Sequence, residues 1–289
     1  MSRAGALRGF SGAAALVTGA GSGIGRAIAE ELAVRGCRVV VTDLDEEPAA
    51  QVASEIGRRG SASLALALDV RDLARFQAVV AATVAGFGRL DYVFNNAGIG
   101  AGGEVLELTA EDWRRVVDVN LFGVIHGVLA AYPVMRDQGF GHIVNTASMQ
   151  GLVPSPLTAS YATTKHAIVG LSKALRAEAR ESGVRVSVLC PGVIRTPLLE
   201  GGKHGVLLRT LPEALQRERM RAFFERFRPM EPARFARKAL DGVARNQPII
   251  IQPAWWKLAW WLDRASPSLS ILLAERFLAR RARALLKAP

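Results

Sequence analysis

A glycine-rich turn, Thr18-Gly19-Ala20-Gly21-Ser22-Gly23-Ile24-Gly25, follows an apolar run at 13–18 and opens a stretch of helical spacing at 24–35. A strand that passes through glycines straight into a helix leaves the chain few options. The amino end of such a helix carries unsatisfied N–H groups and a partial positive charge, which suits a pyrophosphate. Glycines at 19, 23 and 25 allow a tight turn and close approach of a ligand to the backbone. Alone, this pattern is a weak signal. Here a second run, Arg38-Val39-Val40-Val41-Thr42, follows it and closes on an acid, Asp43. That context makes the turn a dinucleotide cradle, with Gly19, Ser22, Gly23, Ile24 and Gly25 on its phosphate side.

Further apolar runs at 63–68, 90–94, 141–146, 184–189 and 249–251 read as strands. Helical stretches separate them at 48–59, 72–87, from Thr109 (a fitting N-cap) to about 135, and at 159–181. This alternation predicts an α/β fold with a single Rossmann-type, doubly wound parallel sheet and right-handed crossovers. The expected catalytic domain spans residues 10–252, with a flap at about 197–230 and a C-terminal helical extension at 253–289. The two cysteines, Cys37 and Cys190, lie in apolar strand-like runs and read as buried free thiols. No run reaches the ~18 consecutive apolar residues of a spanning helix, and residues 1–10 do not read as a secretory signal. The four histidines do not cluster with cysteines or acids, so no metal site is expected.

Asp43, at the tip of the second strand, can accept hydrogen bonds from adenosine ribose hydroxyls and would repel a 2′-phosphate. Leu44 follows it, and no Lys or Arg lies between Gly19 and Gly25, so NAD is favoured over NADP. The competing role for Asp43 is a helix or turn cap, which Asp45 fits better. Asp69, followed by Val70, is in reach of the adenine amino group; its competing role is the cap of the helix at 72.

Tyr161 and Lys165 stand four residues apart, and Ser148 precedes the tyrosine by thirteen. Positions four apart share a helix face. Removing a proton from an alcohol oxygen needs a base, and an ordinary phenol titrates too high to serve well at neutral pH. A neighbouring ammonium favours the phenolate, and Ser148 can hold the substrate oxygen against it.

With these residues the chain resembles the classical short-chain dehydrogenase/reductase family over about residues 10–250. The matching segments are the glycine turn, Asn95-Asn96-Ala97-Gly98, Asn120, Ser148, Tyr161-Ala162-Thr163-Thr164-Lys165 and Pro191-Gly192-Val193-Ile194-Arg195-Thr196. The resemblance implies catalysis by Asn120, Ser148, Tyr161 and Lys165, with Asn120 kinking its helix and supporting a water relay. It also implies that Lys165 bonds the nicotinamide ribose. Asn96, Ala97 and Gly98 would line the adenosine ribose side, and Pro191, Gly192, Ile194 and Thr196 the carboxamide end. It further implies a dimer or tetramer built through the helices carrying Asn120 and Tyr161. The other role open to Asn120 is that of a buried amide satisfying backbone.

The expected reaction moves a hydride between NAD and a lipophilic alcohol or ketone, of steroid, retinoid or long-chain type. The flap follows Thr196 and carries Leu198, Leu199, Val206, Leu207, Leu208, Phe223, Phe224 and Phe227. Such residues either face a lipophilic substrate or simply pack the flap onto the body. Met149 and Val153, with Ser148, Tyr161 and Gly192, are the expected substrate wall. Two rivals remain: an NADP-linked ketoreductase, and a non-catalytic, membrane-associated dinucleotide sensor.

Charge is unevenly distributed. Residues 1–200 hold 19 Lys+Arg and 19 Asp+Glu, whereas residues 201–289 hold 18 and 7, which is the whole net +11. Four of the five tryptophans fall in Trp255-Trp256-Lys257-Leu258-Ala259-Trp260-Trp261-Leu262. Beyond Pro267, Ile271, Leu278 and Leu285 share one helix face, and Arg276, Arg280, Arg283 and Lys287 the other. That is the pattern of a helix lying in a membrane interface. Packing onto the body or onto another subunit is the alternative, and nucleic acid is not expected. The expected location is cytoplasmic, with peripheral contact at a membrane surface.

Overall fold

Seven strands pair in parallel in the order β3-β2-β1-β4-β5-β6-β7. They are β1 Ala14–Thr18, β2 Arg38–Asp43, β3 Ser63–Ala67, β4 Tyr92–Asn95, β5 Gly141–Thr146, β6 Val184–Pro191 and β7 Ile249–Gln252. The structure, a computed structural model, describes residue 7 and residues 9–206 and 212–280. Alternate side chains of β1 explain why both sheet faces need cover. Val17 joins an apolar layer with helices α1 (Gly23–Val34), α2 (Glu46–Arg58) and α8 (Pro232–Ala244). Leu16 joins the opposite layer with α3 (Leu73–Phe87), α5 (Gly123–Gln138) and α6 (Ala159–Glu178). A strand buried on both sides reads as continuous apolar sequence, as 13–18 does.

The chain reverses its winding direction between β1 and β4, where Ala15 of β1 is opposite Tyr92. Ligands in open α/β sheets sit beyond the strand tips at such a switch point. The predicted doubly wound parallel sheet is therefore the observed one, and the short run at 249–251 is its seventh strand.

Some boundaries move for identifiable reasons. β4 begins at Tyr92 rather than Leu90, because the Asp91 carboxylate accepts from Ala14 N at 2.9 Å and caps the strand start. The helix expected from Thr109 to about 135 is broken into α4 (Ala110–Val117), a wide π turn (Asp118–Phe122) and α5. Thr109 does cap α4, in a reciprocal box with Asp112. Asn120 explains the break. Its side-chain amide bonds a separate segment, donating to Ile99 O at 2.9 Å and accepting from Ile99 N at 2.8 Å. Side chains that engage outside partners commonly stabilise such wide turns near functional sites. The segment Ala110–Gln138 is long and apolar enough by composition to cross a membrane, but it packs against the sheet as a core helix.

Both cysteines are buried and free, and burial pushes each thiol up to about 12. In the flap, α7 spans Glu213–Glu225; Leu207 and Leu208 lie outside the described residues. The C-terminal extension forms α9 (Trp256–Ala265), α10 (Pro267–Leu273) and a π turn (Ala274–Ala279). That turn corrects the single ideal wheel expected beyond Pro267. Ile271 before the turn, Arg276 and Phe277 within it and Arg280 after it are all exposed, while Leu278 is half-buried, so the apolar and basic residues do not separate onto opposite faces. Arg283, Leu285 and Lys287 lie outside the described residues.

Candidate active site

A continuous groove of about 490 Å³ runs from Asp43 and Leu44 past the glycine turn to Ser148, Tyr161 and Lys165. The glycines are required sterically. A Cβ on Gly25 would lie 2.1 Å from Gly19 O, and Gly19 itself holds φ +61°. Thr18 Oγ1 accepts from the amides of Asn96 and Ala97, both at 3.0 Å, which ties the loop after β4 to the glycine turn. Asn96 Nδ2 reinforces that tie by donating to Thr18 O at 3.0 Å.

At one end Asp43 Oδ2 accepts from Gly21 N at 2.9 Å, which aims its carboxylate over the turn. Asp45 does not cap α2 with its side chain; it pairs with Lys203 of the flap. Asp69 is not the cap of α3 either, a role taken by Asp72, which accepts from Arg75 N at 2.9 Å. Instead Asp69 is paired with Arg71 at 2.6 Å, which holds its carboxyl below the usual carboxylate range. Asp69, Val70, Asn96, Ala97, Gly98, Pro191, Gly192, Ile194 and Thr196 all line the groove, as do Gly19, Ser22, Gly23 and Ile24. Gly25 lies behind it, where it lets α1 approach the turn. The set fits a dinucleotide: backbone N–H groups at a helix start, a carboxylate at the β2 tip, and polar backbone at the far end.

The other end is built by three elements. β5 leads to Ser148, whose hydroxyl accepts from Gln150 N at 3.1 Å and starts a short 3-10 turn. Gly151 lets that turn seat directly on α6, since a Cβ there would lie 2.5 Å from Lys165 O. On α6, Lys165 is 3 % exposed and its Nζ donates to Thr146 O at 3.0 Å. The Nζ stands 5.3 Å from the centre of the Tyr161 ring. A Cβ on Gly98 would meet Asn120 Oδ1 at 3.2 Å and Lys165 Nζ at 3.6 Å, so these three groups converge. Asn120 here satisfies the Ile99 backbone on both sides, the role left open for it alongside the relay.

Burial dominates the electrostatics of this cluster. It pushes the Tyr161 phenol up to about 12, against the pull of a hydrogen bond with Ser148. It pulls the Lys165 ammonium down to about 8, with nearby Cys190 opposing. The sequence suggests a phenol drawn down by its lysine; in the structure desolvation is the dominant influence on the phenol, which is protonated at neutral pH.

Two expected substrate residues sit elsewhere. Met149 and Val153 point into an apolar cluster with Ile168, Val188 and Cys190 and are not part of the groove lining. They form the layer beneath the wall. Leu198 and Leu199 of the flap do line the groove. Sequence reasoning missed Arg71, Arg115 and Lys203 on the groove wall, because none belongs to a local motif. It also missed Gly151, whose importance depends on a contact with Lys165, fourteen residues on. His126 and His166 bond backbone carbonyls, and His142 is a neutral core residue pulled down to about 3 by burial. Among the described residues no cluster of His, Cys, Asp and Glu could hold a metal.

A nucleotide cradle continuous with a Ser–Tyr–Lys cluster defines an α/β oxidoreductase site. The family model for short chain dehydrogenases matches residues 13–205, and the chain belongs to that family. It is 39 % identical over 204 residues to a cyclohexanol dehydrogenase of Acinetobacter sp. (strain SE19), covering 70 % of this chain and 81 % of that protein. It is 40 % identical over 189 residues to the 2,5-dichloro-2,5-cyclohexadiene-1,4-diol dehydrogenase LinX of Sphingobium indicum, covering 65 % and 76 %. A short chain dehydrogenase/reductase of Burkholderia phymatum, crystallised with NAD, matches with TM-score 0.82 and 32 % identity over 91 % of this chain and 96 % of that one. The protein is thus a member of the short chain dehydrogenase family, and the groove lining described above fits a dinucleotide.

Proposed function

We propose that the protein interconverts a lipophilic alcohol and its ketone or aldehyde with NAD, through Ser148, Tyr161 and Lys165. The observation that carries this reading is the single groove joining Asp43 to the Tyr161–Lys165 pair, with Leu198 and Leu199 on its wall. NAD, when bound, supplies the hydride acceptor. Ser148 hydrogen-bonds the substrate oxygen and holds it against the phenol. In alcohol oxidation the Tyr161 oxygen takes the hydroxyl proton; in carbonyl reduction it returns it. Lys165 stabilises the phenolate, the form that takes the proton in oxidation and that remains after the phenol gives its proton up in reduction, and Asn120 holds the adjoining loop at Ile99. Steroid-like, retinoid-like and long-chain alcohols belong to the proposed class, and the cyclic alcohols in the names of two relatives suit the same apolar wall.

Absorbance of reduced nicotinamide with a panel of cyclic and long-chain alcohols tests the reading. Turnover with NAD supports it; turnover with NADP alone would transfer it to the rival ketoreductase. No turnover with any alcohol or ketone, beside intact dinucleotide binding, would leave the sensor. Asp43→Ala is expected to raise the KM for NAD roughly tenfold or more, since it removes hydrogen bonds to a charged acceptor. Isothermal titration with both dinucleotides checks it, and an unchanged preference would count against Asp43.

The pH dependence follows from the raised phenol and the lowered ammonium. Oxidation needs the deprotonated phenol, which becomes populated only as pH rises toward about 12, so its rate climbs through the neutral and alkaline range. Reduction needs the protonated phenol and a charged Lys165, so its rate holds at neutral pH and falls above about 8. Initial rates in both directions from pH 6 to 10 check the sign.

The homo-oligomer expected from the family is supported by exposed Phe122 and Leu129 on the helical segment after α4. The proposed location is the cytoplasm, with the C-terminal extension at a membrane surface.

A further inference from the structure

α9 is a two-sided helix. Its inner side carries Trp256 and Trp260, which pack on the apolar cluster under the substrate wall. Trp256 reaches the site itself: a Cβ on groove residue Gly192 would lie 2.1 Å from Trp256 Nε1. Its indole also stacks on Phe227 after α7, with ring centres 6.3 Å apart. Its outer side presents Trp255, Leu258 and Trp261, which are 49 %, 76 % and 58 % exposed. Trp255 stacks on Trp256 at 4.4 Å, so two adjoining rings connect the outer surface to the groove wall.

This outer face is not an isolated apolar spot. Leu269, Ile271, Leu272 and Phe277 on the next helical segment are exposed as well. Large apolar side chains left in solvent over one segment mark an interaction surface. Cations border it. Arg264 lies over the rings of Trp260 and Trp261, at 5.5 and 6.0 Å, and Lys257, Arg276 and Arg280 are exposed. Residues 253–289 contain 7 Lys+Arg against 2 Asp+Glu. Indole rings beside cations, over an apolar face, suit the boundary between acyl chains and anionic headgroups. A second copy of this chain would bring the same positive excess to the contact, so like charges would oppose that occupant.

We infer that the outer face of α9 and the segment 267–280 docks on an anionic phospholipid bilayer, next to the substrate end of the groove. Resting on the proposed function, the consequence is that a lipophilic alcohol reaches the groove from the bilayer rather than from water. Docking itself does not depend on turnover, so the two readings fail separately.

Co-sedimentation of the full chain with phosphatidylcholine vesicles, with and without about one third phosphatidylserine, tests the docking. The expected result is at least tenfold more protein pelleted by the anionic vesicles at low salt, with loss on raising salt to about 0.5 M. Leu258→Glu with Trp261→Glu is expected to abolish pelleting while NADH binding stays unchanged, which shows that the variant is folded. Equal recovery of wild type and variant, or equal pelleting by neutral and anionic vesicles, would overturn the inference. So would a variant whose only change is a smaller particle in light scattering, which would assign the face to a second copy. With the wild type, vesicles should lower the KM for a long-chain alcohol dissolved in them and leave that for cyclohexanol unchanged.

Discussion

Tyr161→Phe is expected to lower turnover about 10³-fold in both directions while NADH still binds with near wild-type affinity. The substitution removes one oxygen and keeps the ring, so packing around Tyr161 is preserved. What disappears is the only group in the cluster that can exchange a proton with the substrate oxygen. Ser148 cannot replace it, because its hydroxyl is an ordinary alcohol engaged by Gln150 N at 3.1 Å. Lys165 cannot either, because its ammonium is directed at Thr146 O, 3.0 Å away. Single-turnover absorbance with saturating dinucleotide checks the rate, and fluorescence titration with NADH checks the binding. Turnover within tenfold of wild type would remove Tyr161 from the chemistry.

The second large effect is expected at Gly25. Gly25→Ala places a methyl 2.1 Å from Gly19 O and 2.6 Å from Asn96 Nδ2. Neither atom can retreat cheaply. Gly19 O belongs to the turn, and Asn96 Nδ2 donates to Thr18 O at 3.0 Å. The start of α1 must therefore shift away from the turn that aims N–H groups at the phosphates. Overpacking of this kind costs about 1–3 kcal/mol, and a chain of this size loses roughly 2–4 °C in Tm per kcal/mol. The expected outcome is a Tm lower by several degrees and dinucleotide affinity weaker by about two orders of magnitude. Gly86→Ala in α3 is the control: nothing lies within 4 Å of the added methyl, so Tm should be unchanged or slightly higher. Differential scanning calorimetry with and without NADH separates the two effects. Equal affinity in Gly25→Ala and wild type would show that the cradle tolerates the shift.

The parts of this protein that the sequence discloses are those whose physics is local. The turn at 18–25, the acid at 43 and the Tyr161–Lys165 spacing each depend on a few adjacent residues, and the structure assembles them into one groove. The strand at 141–146 is found with its observed bounds for the same reason: Ile143-Val144 lie in a short segment that starts at Gly141 and stops before the turn at Ser148. Longer-range features were hidden. The wide turn at 118–122, expected only through the family resemblance in which Asn120 kinks its helix, forms where Asn120 bonds the Ile99 backbone twenty-one residues away, which no periodicity reveals. Met149 and Val153 follow the serine in sequence but turn inward, because Gly151 seats their loop flat on α6. Lys203 reaches Asp45 across the groove, a contact between positions that share no pattern. The C-terminal tryptophans were legible as amphipathic, but not as two-sided: only the packed structure separates Trp256 and Trp260 from Trp255 and Trp261.

The strand order also bears on how the protein is made. β1 gains its neighbour β2 within some twenty residues of synthesis, but its other neighbour, β4, emerges only with Tyr92–Asn95. The far lip of the groove, at Ile194 and Thr196, is later still. A nascent chain leaving the ribosome therefore has its phosphate turn long before it has anything to hold the rest of the dinucleotide. A ligand stabilises only states that bind it. Cellular nicotinamide pools can thus reward the finished domain and give no help to its precursors, which leaves the early half-sheet dependent on its own apolar strands or on chaperones.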